Sequence, residues 1–302
     1  MFLGIEIGGT KLQLVRGTAR GEILDRRRFE VDRAAGAAGI RARIESALPE
    51  LTGAGGVRGI GVGFGGPVDW REGRICCSHQ VEGWSGFDLE GWLEGMTRVP
   101  ISIDNDANVA ALGEAYCGAG AKFNPVFYVT LGSGVGGGLI VNGAIYHGAP
   151  PGESEIGLLR IDRAGTLLES RCSGWAVDAK VRAAAAGNPR SVLAGKVGLS
   201  DGTGSRSLAA AIQEGDPVAR RILEETAADL AYGLSHVVHL LHPEILILGG
   251  GLSMVGEPLR AAVEGGIGQW LSEAYRPAPR VLLSGLGEDA VPVGALLLAA
   301  QR

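Results

Sequence analysis

Apolar and polar positions alternate in short runs at the start of the chain and switch to helical spacing further on. Phe2–Ile7 and Lys11–Arg16 read as two strands separated by Gly8-Gly9-Thr10, and Gly21 precedes a third, Glu22–Glu30. Ile40, Ile44 and Leu48 then fall at i, i+4 and i+8, which predicts a helix over Ala37–Leu48. A buried strand at Gly59–Gly63 leads into the turn Phe64-Gly65-Gly66-Pro67. Asp88 is placed to cap a helix through Trp92 and Met96, and a strand at Ile101–Asp104 precedes a helix at Ala107–Ala115. The opening pattern then returns. Val126–Leu131 is a strand, a glycine-rich turn over Gly132–Gly138 follows, and Leu139–Val141 is a strand again. Asn142-Gly143 is a type I′ hairpin signal into Ala144–Tyr146. A long helix over Pro217–Leu241, a buried strand at Ile245–Leu248, the turn Gly249-Gly250-Gly251, a last strand at Val281–Ser284 and an apolar helix at Val293–Ala300 complete the chain.

A strand–glycine turn–strand unit thus occurs twice, each time followed by mixed α and β. That pattern predicts an α/β protein of two similar domains with a central cleft. The expected boundary lies near Tyr116–Asn124, with residues 1–117 as the first domain, residues 118–289 as the second, and a C-terminal helix over 290–302 returning to the first.

Composition narrows the function classes. The 302 residues are 46% hydrophobic and 20% charged, as in ordinary globular proteins. A net charge of −5 offers no footing for nucleic acid or a membrane surface, so neither is an expected partner. No apolar run reaches the ~20 residues of a membrane span. The N-terminal strand begins at once, which leaves no signal peptide and no preceding DNA-binding module in the expectation. Cys76, Cys77, Cys117 and Cys172 include no Cys-x-x-Cys pair; they read as reduced thiols of a cytoplasmic protein. The 51 glycines far exceed the ~7% of an average chain, and they cluster in short loops after apolar runs.

Several of those loops carry candidate chemistry. Gly8-Gly9-Thr10-Lys11 can hold phosphate oxygens with backbone N–H groups, the Thr10 hydroxyl and Lys11, although a plain hairpin has the same sequence. Gly132, Gly134 and Gly137 spell a G-x-G-x-x-G, with Glu155 downstream. The following Leu139–Gly143 continues as strand and hairpin rather than helix, which excludes a dinucleotide fingerprint. In Asp104-Asn105-Asp106-Ala107-Asn108, either Asp104 or Asn105 can cap the next helix, and Asp106 is placed to orient and deprotonate a hydroxyl. Glu153, Glu155 and Glu169 suit the hydroxyls of a sugar or stand as solvated surface carboxylates. His236, His239 and His242 near a helix end fit a favourable helix-dipole placement better than a metal site.

In ordered set, these segments resemble the ROK-family sugar kinases of the sugar kinase/Hsp70/actin superfamily. The resemblance is carried by Ile5–Lys11, Gly66-Pro67-Val68-Asp69, Asp104–Asn108 with Gly113-Glu114, Leu131–Gly138, Glu155-Ile156-Gly157, Leu168-Glu169-Ser170 and Pro243–Gly251. It implies a two-lobed actin-like ATPase fold with ribonuclease H-like domains. It also implies a glucokinase-type, ATP- and Mg²⁺-dependent phosphorylation of a hexose at its 6-hydroxyl, with glucose foremost. N-acetylmannosamine, fructose or an amino sugar are alternative acceptors, and a non-catalytic sugar-binding regulator is the alternative class.

By the same resemblance, Asp106 is the catalytic base, and Gly66, Asn105, Glu155 and Glu169 lie at the sugar. Gly8, Gly9, Thr10, Lys11, Gly132, Ser133, Gly134, Val135, Gly136, Gly250 and Gly251 lie at ATP. Glu6 stands where an Asp commonly faces magnesium and would act through water. A homodimer is implied. Two departures matter: Leu158 replaces the histidine of Glu-x-Gly-His, and the cysteine-rich zinc loop before Leu168-Glu169 is reduced to Arg160–Leu167. No zinc is therefore expected, with Leu158, Leu159 and Ile161 packing in its place.

Overall fold

The computed structural model describes residues 1–53, 56–78, 80–150, 152, 154–197 and 204–301. The chain opens with β1 (Phe2–Ile7), β2 (Lys11–Gly17) and β3 (Ile23–Glu30), then α1 (Gly36–Thr52) and β4 (Ile60–Phe64). The short β5 (Val68–Asp69) and β6 (Arg74–Ile75) pair with each other, and α2 (Leu89–Thr97), β7 (Ile101–Asn105) and α3 (Asp106–Cys117) follow. Next come β8 (Val126–Leu131), β9 (Val135–Val141) and β10 (Ala144–Ile145), and the helices α4 (Leu168–Cys172), α5 (Gly174–Gly187), α6 (Val192–Lys196), α7 (Gly204–Gln213) and α8 (Pro217–Leu241). The chain closes with β11 (Ile245–Gly249), α9 (Glu257–Ile267), β12 (Arg280–Leu283) and α10 (Ala290–Ala300).

The two five-stranded sheets share one plan. Their orders are β3-β2-β1-β4-β7 and β10-β9-β8-β11-β12. In the first, β1 pairs antiparallel with β2 and parallel with β4, and β4 pairs parallel with β7. In the second, β8 and β11 are parallel, as are β11 and β12. The repeated strand–turn–strand read from sequence thus becomes a pair of neighbouring strands in each sheet, β1 beside β2 and β8 beside β9. Packing divides the chain into two compact units, one of Met1–Lys122, Gly138–Ser154 and Gly285–Arg302, the other of Phe123–Gly137 and Glu155–Ser284.

In the first unit, Leu3, Ile5, Leu12, Leu14, Ile60 and Val62 bury one face of the sheet against Ile40, Ile44 and Leu48 of α1. On the other face α10 packs closely on α3. A Cβ at Gly113 would come within van der Waals overlap of Ala290, and one at Gly294 would overlap Val109, so both helices carry glycine where their backbones touch. In the second unit, Ile245–Leu248 and Val129 are fully buried, as are Leu230 and Leu234 of α8.

Several element boundaries differ from the pattern reading, each for a visible reason. Helix α1 continues past Pro49 to Thr52 because Leu51 is fully buried with Ile44 and Leu48. A proline that late removes only one helical hydrogen bond. Strand β9 begins at Val135, so Gly136–Gly138 is strand and the turn is only Gly132–Gly134. Helix α3 begins at Asp106, which makes the candidate base its first residue. Helix α10 begins at Ala290, with Pro292 in the first turn where its missing N–H costs nothing. By contrast α8 runs over Pro217–Leu241, as read from the sequence; in the structure Asp216 caps it, proline opens it, and His242 ends it at φ 47°.

Candidate active site

The first glycine turn is closed by the Gly8 N–H donating to the Lys11 carbonyl at 2.9 Å. Register across β1 and β2 sets Glu6 opposite Gln13. Lys11 Nζ lies 3.0 Å from Glu6 Oε1, and Gln13 Nε2 donates to Oε2 at 2.8 Å. Burial is the strongest influence on Glu6 and pushes its carboxyl above the ordinary range, against the pull of Lys11 and the Gln13 bond. Arg33 Nε donates to the Gly9 carbonyl at 3.0 Å, and a Cβ at Gly9 would overlap the Gln80 side chain. Lys11 is therefore held beside the turn by the strand that precedes it.

Asp106 and this turn both border Gly65. A Cβ placed on Gly65 would lie 3.3 Å from Asp106 Oδ2, 3.3 Å from the Ile7 carbonyl and 3.5 Å from Gly8 Cα. As the first residue of α3, Asp106 also sits where the helix dipole favours a carboxylate. Its neighbours hold it there. Asn105 Oδ1 caps α3 by accepting from Ala107 N at 2.9 Å and Asn108 N at 3.4 Å, while Nδ2 donates to the Gly66 carbonyl at 3.2 Å. One amide N–H of Asn105 thus remains for a ligand. The first unit brings Glu6, Gly8, Gly9, Thr10, Lys11, Gly66, Asn105 and Asp106 to the same end of its sheet, where β1, β4 and β7 terminate.

Sequence reasoning missed what lies behind Asp106. Asp104 Oδ1 accepts from Asn105 N at 2.8 Å and Asn108 Nδ2 at 2.9 Å, and its Oδ2 lies 2.6 Å from His147 Nε2. The His147 ring stacks on Trp70, with centroids 4.2 Å apart and planes at 15°. No local signal links residues 43 positions apart; only the Asn142-Gly143 turn marks the hairpin before His147.

In the second unit the turn Gly132-Ser133-Gly134 is closed by Gly132 N donating to the Gly134 carbonyl at 3.0 Å. Gly250, at φ 78°, abuts it: a Cβ there would lie 2.6 Å from the Leu131 backbone. Glu169 joins the same group, with Oε2 accepting from Val135 N at 3.4 Å and standing 2.9 Å from where a Gly134 Cβ would be. Gly157 also packs here, its Cβ position 3.3 Å from Glu169 Cβ. Gly136 lies within β9 and Gly251 faces open space. Glu155 is exposed just before a single helical turn at Ile156–Leu158. Glu153 lies outside the described residues.

The segment after Glu155 corrects one expectation. Leu158 is 53% exposed and does not pack, and Leu159 and Ile161 are only half-buried. The buried apolar contacts come from Ile156 and Leu168 instead. Backbone bonds tie the segment down: Ile161 N to Thr166 O and Leu168 N to Leu159 O, both 2.9 Å, form a small hairpin. Asp162 closes its turn by accepting from Thr166 N at 3.0 Å, and hydrogen bonds with Thr166 hold its carboxyl below the ordinary range.

The three histidines at the end of α8 have other partners. His236 Nδ1 lies 2.9 Å from the Tyr232 carbonyl, Ser272 N donates to His239 Nε2 at 3.3 Å, and His239 and His242 pack against Tyr275. Among the described residues no three His, Cys, Asp or Glu side chains converge as a metal cluster.

With two sheets of one plan and a glycine turn at the start of each, the fold is that of the two-domain actin-like ATPases. A ROK family glucokinase from Streptomyces griseus, solved in complex with glucose and AMPPNP, superposes with a TM-score of 0.86 at 30% identity, over 100% of this chain and 99% of that one. A ROK hexokinase from Thermus thermophilus superposes with a TM-score of 0.79 at 27% identity, over 99% and 98% of the two chains. In sequence, a glucokinase from Halalkalibacterium halodurans is 28% identical over 100% of this chain and 95% of its own. The chain belongs to the ROK family, whose model matches residues 2–302.

Proposed function

We propose that the chain is a sugar kinase that transfers the γ-phosphoryl group of MgATP to the 6-hydroxyl of a hexose, with glucose the first candidate. The observation that carries this reading is the Asp106 carboxylate standing at the start of α3 beside Gly65, which in turn borders Ile7 and Gly8 of the first glycine turn. There it would accept a hydrogen bond from the attacking hydroxyl and take its proton. In a loose transition state that proton leaves late, so an ordinary aspartate serves as the base.

The backbone N–H groups of Gly8–Thr10 and Gly132–Gly134 would hold phosphate oxygens, and Lys11 would add charge beside the first turn. The Gly250-Gly251 turn would face the adenosine, since Gly250 abuts the end of β8. Glu169 and Glu155 would accept bonds from sugar hydroxyls, and Gly66 and the remaining Asn105 N–H would take part in holding the sugar. Both Glu6 oxygens already accept from Lys11 and Gln13, yet each keeps a lone pair, which fits a water-mediated hold on magnesium. Magnesium, when bound with the nucleotide, supplies positive charge to the β- and γ-phosphates.

The enzyme would work in the cytoplasm as a homodimer. None of its helices among the described residues is long and apolar enough to cross a membrane, and its four cysteines are thiols. The reading is tested by coupled ADP release with glucose, mannose, fructose, N-acetylmannosamine and a β-glucoside. A β-glucoside belongs in the panel because a β-glucoside kinase of Listeria innocua is 29% identical over 82% of this chain and 81% of its own. ATP consumption that needs a hexose supports the reading, and none with any sugar would sink it.

A further inference from the structure

Asp104 is 3% exposed, and each of its carboxylate oxygens has a defined task. Oδ1 accepts from Asn105 N and Asn108 Nδ2, at 2.8 and 2.9 Å, and so fixes the first turn of α3. Oδ2 faces His147 Nε2 at 2.6 Å. A carboxylate only accepts, so Nε2 carries the proton and the bond is charge-assisted and short.

His147 is itself held on two sides. Trp70 stacks on the ring, and Gly152, at φ 79°, approaches so closely that a Cβ there would lie 3.0 Å from both Cβ and O of His147. Among the described residues its ring makes one hydrogen bond, the one to Asp104. A histidine clamped by an indole and a glycine, and aimed at one buried oxygen, is more than a loop needs.

We propose that His147 is a positioning residue for Asp106. Its Nε2–H pins Asp104, Asp104 pins the Asn105 N–H and the Asn108 amide, and Asn105 caps the helix whose first residue is Asp106. Without that donor, the buried Oδ2 has no partner, and the carboxylate turns away. That change frees the Asn105–Asn108 turn. The groups that hold His147 are Trp70, Asp104 and Gly152, none of them in a glycine turn assigned to phosphate, so nucleotide binding is expected not to depend on it.

The consequence for turnover rests on the kinase reading, and the experiment separates the two. His147→Ala removes the donor, whereas His147→Gln sets an amide N–H where Nε2 stood. In His147→Ala kcat falls by about 30- to 100-fold, the effect of a misplaced reacting group, with KM for ATP within about threefold and KM for hexose raised through the loosened Asn105. His147→Gln recovers kcat to within about fivefold. Amide hydrogen exchange over residues 105–108 of the full chain is faster in His147→Ala and wild-type in His147→Gln.

The proposal is overturned if His147→Ala keeps its kcat, if His147→Gln is as impaired as His147→Ala, or if exchange over 105–108 is unchanged in His147→Ala. A wild-type protein that phosphorylates no sugar fails the kinase reading alone. The exchange arm then still decides whether His147 holds the turn.

Discussion

Substituting Gly132 by alanine separates a phosphate site from a mere turn. A Cβ at Gly132 meets only Thr130 Oγ1, at 3.9 Å, which is ordinary contact, and the residue is not in the left-handed region. The fold therefore accepts alanine without strain, and thermal unfolding stays as in the wild type or rises slightly. If the Gly132–Gly134 N–H groups cradle phosphate, the added methyl holds the nucleotide back and loses about one charge-assisted hydrogen bond. Such a bond is worth roughly 1.5–3 kcal/mol, or a ~10- to 150-fold rise in the KM for ATP. The KM for hexose stays within about twofold, because the new methyl does not reach Glu169. Gly134→Ala is the informative contrast: its Cβ would lie 2.9 Å from Glu169 Oε2, so sugar and nucleotide both suffer. The assay is coupled ADP release, titrating ATP at saturating hexose and then hexose at saturating ATP. An unchanged ATP KM in Gly132→Ala, with the protein folded, would refute the phosphate role of the second turn.

Two further outcomes follow from other parts of the chain. Asp216 accepts from Val218 N and Ala219 N at 2.7 and 3.0 Å, capping α8, and from Leu193 N at 2.9 Å. Asp216→Ala is expected to lose about 1 kcal/mol for the cap and about 1–3 kcal/mol for the stranded Leu193 N–H, read by urea unfolding at neutral pH. Burial alone would raise this carboxyl, but the N–H groups of Ala219, Leu193, Val218 and Val192 outweigh it and hold it below the ordinary 3.8. A depressed carboxyl stabilises above its unfolded value and stops doing so as pH falls through its folded value. The difference between wild type and Asp216→Ala should therefore shrink below about pH 3.8, and a difference that persists there would contradict the charge argument. The purified protein should hold no stoichiometric zinc, because the Arg160–Leu167 segment has no cysteine and is closed by backbone bonds. Elemental analysis giving about one zinc per chain would overturn that.

Patterns that act over a few residues were readable from the chain. The long helix was read over Pro217–Leu241, the bounds it has, and Asn142-Gly143, at φ 53° and 77°, makes the expected hairpin. Glycine misled where pairing outweighs local preference: Gly136–Gly138 looks like turn but is held in β9 by its sheet. Leu158 was expected inside, yet residue type alone cannot say which face of a single helical turn meets water. Neighbours in sequence revealed the Asp104–Asn108 cluster but not the His147 behind it, because that pair is made by tertiary packing across 43 positions.

Asp106→Asn tests the central claim most directly, with ADP release followed at saturating ATP and varied hexose. Asparagine keeps the size and can still meet a hydroxyl, but it cannot take the proton. The account predicts a KM for sugar within about threefold of wild type and a kcat lower by roughly 10² or more. Near-normal turnover in this variant would remove Asp106 from the mechanism and contradict the account.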